Sequence, residues 1–143
     1  MTSDPSTVSA ELIEAYRKTE FRVLGSPQFT LRVGNASAEL RQLYVTAGAG
    51  SAAFVTAWNP YSIPTSTEEN HSAQSALRER LSQDGFATID GFGIDPTTEW
   101  AGEDSVLVLG ISLDQAKGLG EEMKQNAVVW IGGDAVPNLL LLR

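Results

Sequence analysis

Two short stretches of this chain hold the side chains best able to do chemistry. Over residues 53–60 an apolar run, Ala-Phe-Val-Thr-Ala-Trp, breaks into Asn59-Pro60. A helix start follows with two overlapping capping boxes, Thr65 with Glu68 and Ser66 with Glu69. A buried strand that delivers polar groups to a helix N-terminus is a way to build a pocket, because free N–H groups there favour an anion. It is equally a way to build only a fold. Asn59 and Asn70 are the amides in question. Asn70 falls on or beside the buried stripe of the following helix, so its carboxamide needs hydrogen-bond partners. Two readings stay open: a polar clasp holding strand end to helix, or a pair of amides reading a polar ligand.

The second stretch is residues 100–105. Trp100 offers a stacking face, as Trp58 does in the first stretch, and Glu103 places a carboxylate where the chain enters a buried strand at Val106. A carboxylate in that position can act as a base, a metal ligand or a turn-stabilising acceptor. The expected ligand-binding set is therefore Trp58, Asn59, Asn70, Trp100 and Glu103. No catalytic, cofactor-binding or metal-ligating residue is assigned.

Other chemistries fall away on composition and spacing. The chain has no cysteine and a single histidine, which removes disulfides, thiol nucleophiles and multi-histidine metal centres. His71 has the side chain whose ordinary pKa suits a general base. It has no assignable Ser or Asp partner, and it reads as a surface residue. Asp95, Glu99, Glu103 and Asp104 are oxygen-rich but do not follow calcium-loop spacing, so an exposed acidic loop is expected. Gly91-Phe92-Gly93 leads into Ile-Asp-Pro rather than a helix, which argues against a phosphate cradle. Eighteen acidic residues against ten basic ones give a formal net charge of -8, unfavourable for nucleic acid. No apolar run approaches the ~20 residues that span a bilayer, and the first residues show no secretory pattern. A cytoplasmic protein without cofactor, nucleic-acid or membrane partner is the expectation.

The elements that must position these groups are legible from periodicity and caps. A first helix is expected from Asp4 and Pro5, with Val8, Leu12, Ile13 and Tyr16 as its core stripe. Alternation at Phe29, Leu31 and Val33, after Phe21 and Val23, predicts a half-exposed hairpin. Ser37 caps a second helix that Gly48 stops, and a doubly buried strand follows over 53–58. The third helix is expected over 65–84 with Ala73, Ala76, Leu77 and Leu81 inward. Strands are then expected at 86–89, 106–111, 127–131 and 139–142. An irregular glycine-bearing loop over 90–98 and a helix boxed by Ser112 and Gln115 separate the first three. Asn126 is read as a left-handed helix terminator. Hairpins mixed with helices predict one α+β domain over residues 1–143. Its sheet should be mixed but mostly antiparallel, of about six or seven strands, packed with about four helices.

Several short runs occur together and in order. They are Ala-Tyr-Arg at 15–17, Phe-Thr-Leu-Arg-Val-Gly at 29–34, Phe-Val-Thr-Ala-Trp-Asn-Pro at 54–60, Asn70, Trp100 with Glu103 and Ser105, and Gln-Asn-Ala-Val-Val-Trp at 125–130. In this combination the chain resembles a bacterial family of small proteins classed as a domain of unknown function. That resemblance implies a single-domain protein and directs attention to Asn59, Asn70, Glu103, Gln125 and Asn126, with no activity attached. The leading functional expectation is a domain that binds a small polar molecule, in a role such as sequestration, at the Trp58-Asn59-Pro60 turn and the N-terminus of the third helix. The alternative is a protein-interaction or inhibitor module without a catalytic site, presenting aromatics such as Tyr61 and Phe92.

Overall fold

The structure is a computed structural model that describes residues 9–143. Asp4, Pro5 and Val8, read above as the start of the first helix, lie outside the described residues. All four described helices open on a serine. Ser9, Ser37, Ser66 and Ser112 each accept an N–H of the first turn, and they begin α1 (Ala10–Lys18), α2 (Ala38–Ala47), α3 (Thr67–Gln83) and α4 (Leu113–Glu122). Ser112 and Gln115 complete a reciprocal capping box, and Gly48 ends α2 in the left-handed region at φ 68°.

The strands are β1 (Glu20–Val23), β2 (Phe29–Leu31), β3 (Ala52–Val55), β4 (Ala87–Ile94), β5 (Glu103–Leu109), β6 (Ala127–Ile131) and β7 (Pro137–Leu141). They form one seven-stranded sheet in the order β2-β1-β4-β5-β3-β6-β7. Every pairing is antiparallel, so the expected parallel admixture is absent among the described residues. The α+β class, the single sheet and the four helices are as expected. The sheet curls. Gly34 donates its N–H to Pro137 O at 2.8 Å and Ser37 to Ala135 O at 3.0 Å, which draws the segment after β2 towards the start of β7 at the opposite edge.

Period-two alternation divides the core between the two faces. Phe21, Leu31, Phe54, Leu107, Val129 and Ile131 fill the concave face beneath Leu40 and Tyr44 of α2. Val55, Val106, Val108 and Val128 meet Leu77 and Leu81 of α3 and Leu119 of α4 on the other. Central β3 is buried at all four positions, as its apolar sequence requires.

Four local expectations are corrected. The glycine-bearing segment is strand, not loop: β4 runs through Gly91 and Gly93. A Cβ on Gly91 would sit 2.6 Å from the Phe54 ring, so the glycine is a packing requirement inside the ladder. The inward stripe of α3 is Asn70, Gln74, Leu77 and Leu81, with Ala76 exposed. Gln74 turns inward because its Oε1 accepts the Ala57 N–H at 2.9 Å, a donor that leaves the ladder where β3 ends. The left-handed residue after α4 is Lys124 at φ 56°, not Asn126. Finally, Phe92 is half-buried, its ring filling the space a side chain at Gly102 would need. No helix among the described residues is long and apolar enough to cross a membrane.

Candidate functional site

Where β3 stops, the backbone turns out of the sheet. The Thr56 hydroxyl donates to Asp104 O at 2.6 Å and accepts the Trp58 N–H at 3.0 Å, which ends the ladder with a side chain in place of a neighbouring strand. The chain then enters a tight helical turn at Pro60–Ser62 in which Asn59, Tyr61 and Ser62 all have positive φ, at 44°, 56° and 62°. Such conformations cost about 1–3 kcal/mol each for a residue with a side chain, and they persist where surrounding contacts over-determine them. Here the contacts come from the far end of the fold. Tyr61 N–H donates to Lys124 O at 2.6 Å, Asn126 Nδ2 to Ser62 Oγ at 2.9 Å, and the Arg143 guanidinium lies 4.1 Å from the Tyr61 ring centre.

Asn70 fastens the same bend to α3. Its Oδ1 accepts the Asn59 N–H at 2.8 Å and the Thr65 hydroxyl at 2.7 Å, while its Nδ2 donates to Asn59 Oδ1 at 2.8 Å. Asn59 Oδ1 also accepts the Thr65 N–H at 3.1 Å. Asn70 is 3% exposed. The geometry is that of the polar clasp. Among the described residues the Asn59 Nδ2 makes no hydrogen bond.

Beside the bend lies a cleft of about 500 Å³. Leu12, Ala15, Tyr16 and Thr19 of α1 and the residue after it form one wall. Asn59, Ser62 and Pro64 form the second, and Asp95, Thr98, Trp100 and Glu103 the third. A narrow hollow of about 50 Å³ shares Tyr16, Asn59, Ser62 and Glu103 with this cleft and reaches Phe54, Gly93 and Ser105 on the concave face. Strand alternation explains why Glu103 stands there. Positions 103, 105, 107 and 109 of β5 all point to that face, and the first two lie where the apolar filling gives out.

The two carboxyls of the cleft differ in kind. Asp95 accepts the Thr97 hydroxyl at 2.6 Å and the Thr97 N–H at 3.0 Å, and these bonds hold its pKa below the usual carboxylate value, with help from Lys18 and Arg32. The Glu103 carboxyl has no hydrogen-bond partner among the described residues. Burial pushes it up to about 7. Such a group can give or take a proton near neutrality. Burial also raises the Tyr16 phenol, a hydrogen bond with Ser62 pulls it partly back, and the charge of Glu103 adds to the rise.

Of the five residues expected from sequence, Asn59, Trp100 and Glu103 share the cleft. Trp58 and Asn70 do not line it. Asn70 is committed to the clasp, and Trp58 packs edge-on to His71 at 5.1 Å on the α3 side. His71 is exposed and lies 3.8 Å from Asp104. Among the described residues no group of three or more His, Cys, Asp or Glu side chains is placed to hold a metal ion. Tyr16, Thr19, Ser62 and Thr98 were not expected. The stripe of α1 was read as core, yet Leu12, Ile13 and Tyr16 are only half-buried, because α1 roofs an opening. The phenol and hydroxyl at the end of that stripe were the available signal.

A search among curated proteins finds no match, and neither does one among solved structures. A family model does match, over residues 55–128, from the end of β3 to the start of β6. That span includes the bend, the clasp, Trp100, Glu103 and Asn126, while Tyr16 lies before it. The chain belongs to the family DUF3293, described as a protein of unknown function.

Proposed function

We propose that this protein binds a small polar molecule in the cleft between α1, the Asn59–Ser62 bend and the Trp100–Glu103 approach to β5. The observation that carries this reading is the Glu103 carboxyl, half-buried on the cleft wall and unmatched by any donor among the described residues. A carboxyl shielded by burial, open to a cleft and offered no donor by the protein itself is a ready acceptor for a polar ligand that enters that cleft. The unused Asn59 Nδ2 supplies a donor, Ser62 and Tyr16 supply hydroxyls, and Trp100, 40% exposed, supplies a flat apolar wall. Sequestration or delivery of the ligand needs nothing more than these groups. Absence of cysteine and a net charge of -8 support a reducing, cytoplasmic setting away from nucleic acid.

The test is a fragment screen on the isotope-labelled chain by amide and indole NMR, with amines, acids, polyols and heterocycles at millimolar concentration. The expected result is a set of fragments whose shifts concentrate at the Trp100 indole, Ser62, Thr98 and Glu103. A screen in which no fragment moves those signals overturns the reading.

A further inference from the structure

We infer that the ligand is cationic: a small molecule carrying a protonated amine, which the Glu103 carboxylate receives between the Trp100 and Tyr16 walls of the cleft. The inference rests on the binding reading above and adds the charge of what is bound. The ionisable groups lining the cleft and its hollow are Tyr16 from α1, Asp95 beyond the end of β4 and Glu103 at the start of β5. None of the lining residues is Lys, Arg or His. Lys18 lines an adjoining groove with Glu11, Glu14 and Asp95, and Lys18 and Arg32 act on Asp95, whose hydrogen bonds to Thr97 favour its ionised form.

An anionic ligand would meet two carboxyls and no counter-charge. A neutral ligand would leave the charge of half-buried Glu103 uncompensated, or require its protonated form. An ammonium group alone among these turns the cost of burying that carboxylate into an attraction, and an N–H donor paired with a charged acceptor is among the stronger hydrogen bonds. The aromatic rings of Trp100 and Tyr16 among the lining residues also suit a cation. The net charge of -8 adds long-range attraction of the same sign.

The probes are benzylamine and its uncharged counterpart benzyl alcohol, titrated by NMR at pH 8 into the wild-type chain and into Glu103→Gln. Benzylamine should bind at the Trp100 signals about tenfold or more tightly than the alcohol, and Glu103→Gln should remove that advantage. Gln keeps the shape while removing the charge and exchanging one acceptor oxygen for an NH2 donor, and retained amide dispersion shows that the variant is folded. Calorimetry at pH 7 in buffers of different ionisation enthalpy supplies a second readout. A cation favours the ionised carboxyl and should release protons on binding, whereas a neutral acceptor should take them up. Equal or tighter binding of the alcohol, proton uptake with the amine, or silence of the cleft towards benzylamine each overturns the inference. The broader binding reading fails only when the whole fragment set is silent.

Discussion

Two polar clusters flank the same bend, and they are built to opposite rules. In the clasp, Asn70 has its carboxamide oxygen doubly bonded and its amide nitrogen bonded, all within 2.8 Å, and it is 3% exposed. Across the bend, the Glu103 carboxyl is half-buried with no donor among the described residues, and burial raises it to about 7. In the first cluster every polar atom of the Asn70 carboxamide meets a partner, as buried polar groups normally do, although Gln74 Nε2 one turn further along α3 does not. The second carries an unrelieved desolvation cost of the kind found where stability is traded for a binding surface. Position alone does not separate them, since both sit at a strand end beside a helix. Hydrogen-bond satisfaction does.

Removing the clasp should give the largest effect. Asn70→Ala strips the acceptor from the half-buried Asn59 N–H and from the hydroxyl of exposed Thr65, removes the donor to Asn59 Oδ1, and empties a buried position. We expect a loss of about 3 kcal/mol of stability by urea denaturation, with m unchanged. Asn70→Asp keeps the acceptor and loses the donor, and it should fall between. A loss under about 1 kcal/mol for Asn70→Ala would break the contrast, because the clasp would then be ornamental.

Glu103→Gln should act in the opposite direction. The folded pKa of about 7 lies above the ordinary value of 4.5, so between those pH values the folded chain holds more protons than the unfolded one. Stability attributable to this group is therefore greatest at low pH and falls as pH rises through 4.5 to 7, then levels off. The full shift corresponds to at most ~3 kcal/mol, and water in the cleft reduces that to about 2 kcal/mol. Glu103→Gln should thus stabilise the chain by about 2 kcal/mol at pH 8.5 and by nothing at pH 4, with a flatter melting-temperature profile between. A variant less stable than wild type at pH 8.5 would place Glu103 among the structural groups.

How much of this was legible in the sequence follows the same division. Caps and alternation depend on near neighbours, and Ser37, the Ser112–Gln115 box and the Phe21–Leu31 hairpin stand where local pattern puts them, while the buried strand read over 53–58 is present as Ala52–Val55. The errors share a cause in long-range partners. Gln74 reads as polar surface until the Ala57 N–H is known to face it, and Gly91 reads as loop until the Phe54 ring is known to need its space. Asn126 suits a helix terminator by type, but its amide bridges Ser62 and Arg143, neither of them adjacent. The candidate site divided likewise. Asn59, Trp100 and Glu103 came from residue type at strand ends, whereas Tyr16 was hidden in a stripe whose amphipathicity is the same for a core helix and a cleft wall.

The neighbouring glycines of β4 give the finest version of the comparison, because they differ in surroundings and not in chemistry. Both lie on the concave face, paired with Ser105 and Glu103 respectively. A methyl at Gly91 would press on the Phe54 ring at 2.6 Å and on Arg22 O at 3.1 Å, so Gly91→Ala should cost about 1–2 kcal/mol by overpacking. At Gly93 the nearest atoms are Thr19 Cγ2 at 3.8 Å, a Phe21 ring carbon at 4.0 Å and Ser105 Oγ at 4.0 Å, which is ordinary contact. Gly93→Ala should therefore leave stability within about 0.5 kcal/mol, the smallest effect of the series. Its methyl nonetheless enters the hollow of about 50 Å³ beside Glu103 and should weaken any fragment that reaches past Tyr16 into it. Matched stabilities for the two alanine variants would mean that the hollow is as tightly filled as the core beside it, and the distinction between sealed and open halves of the concave face would lose its physical basis.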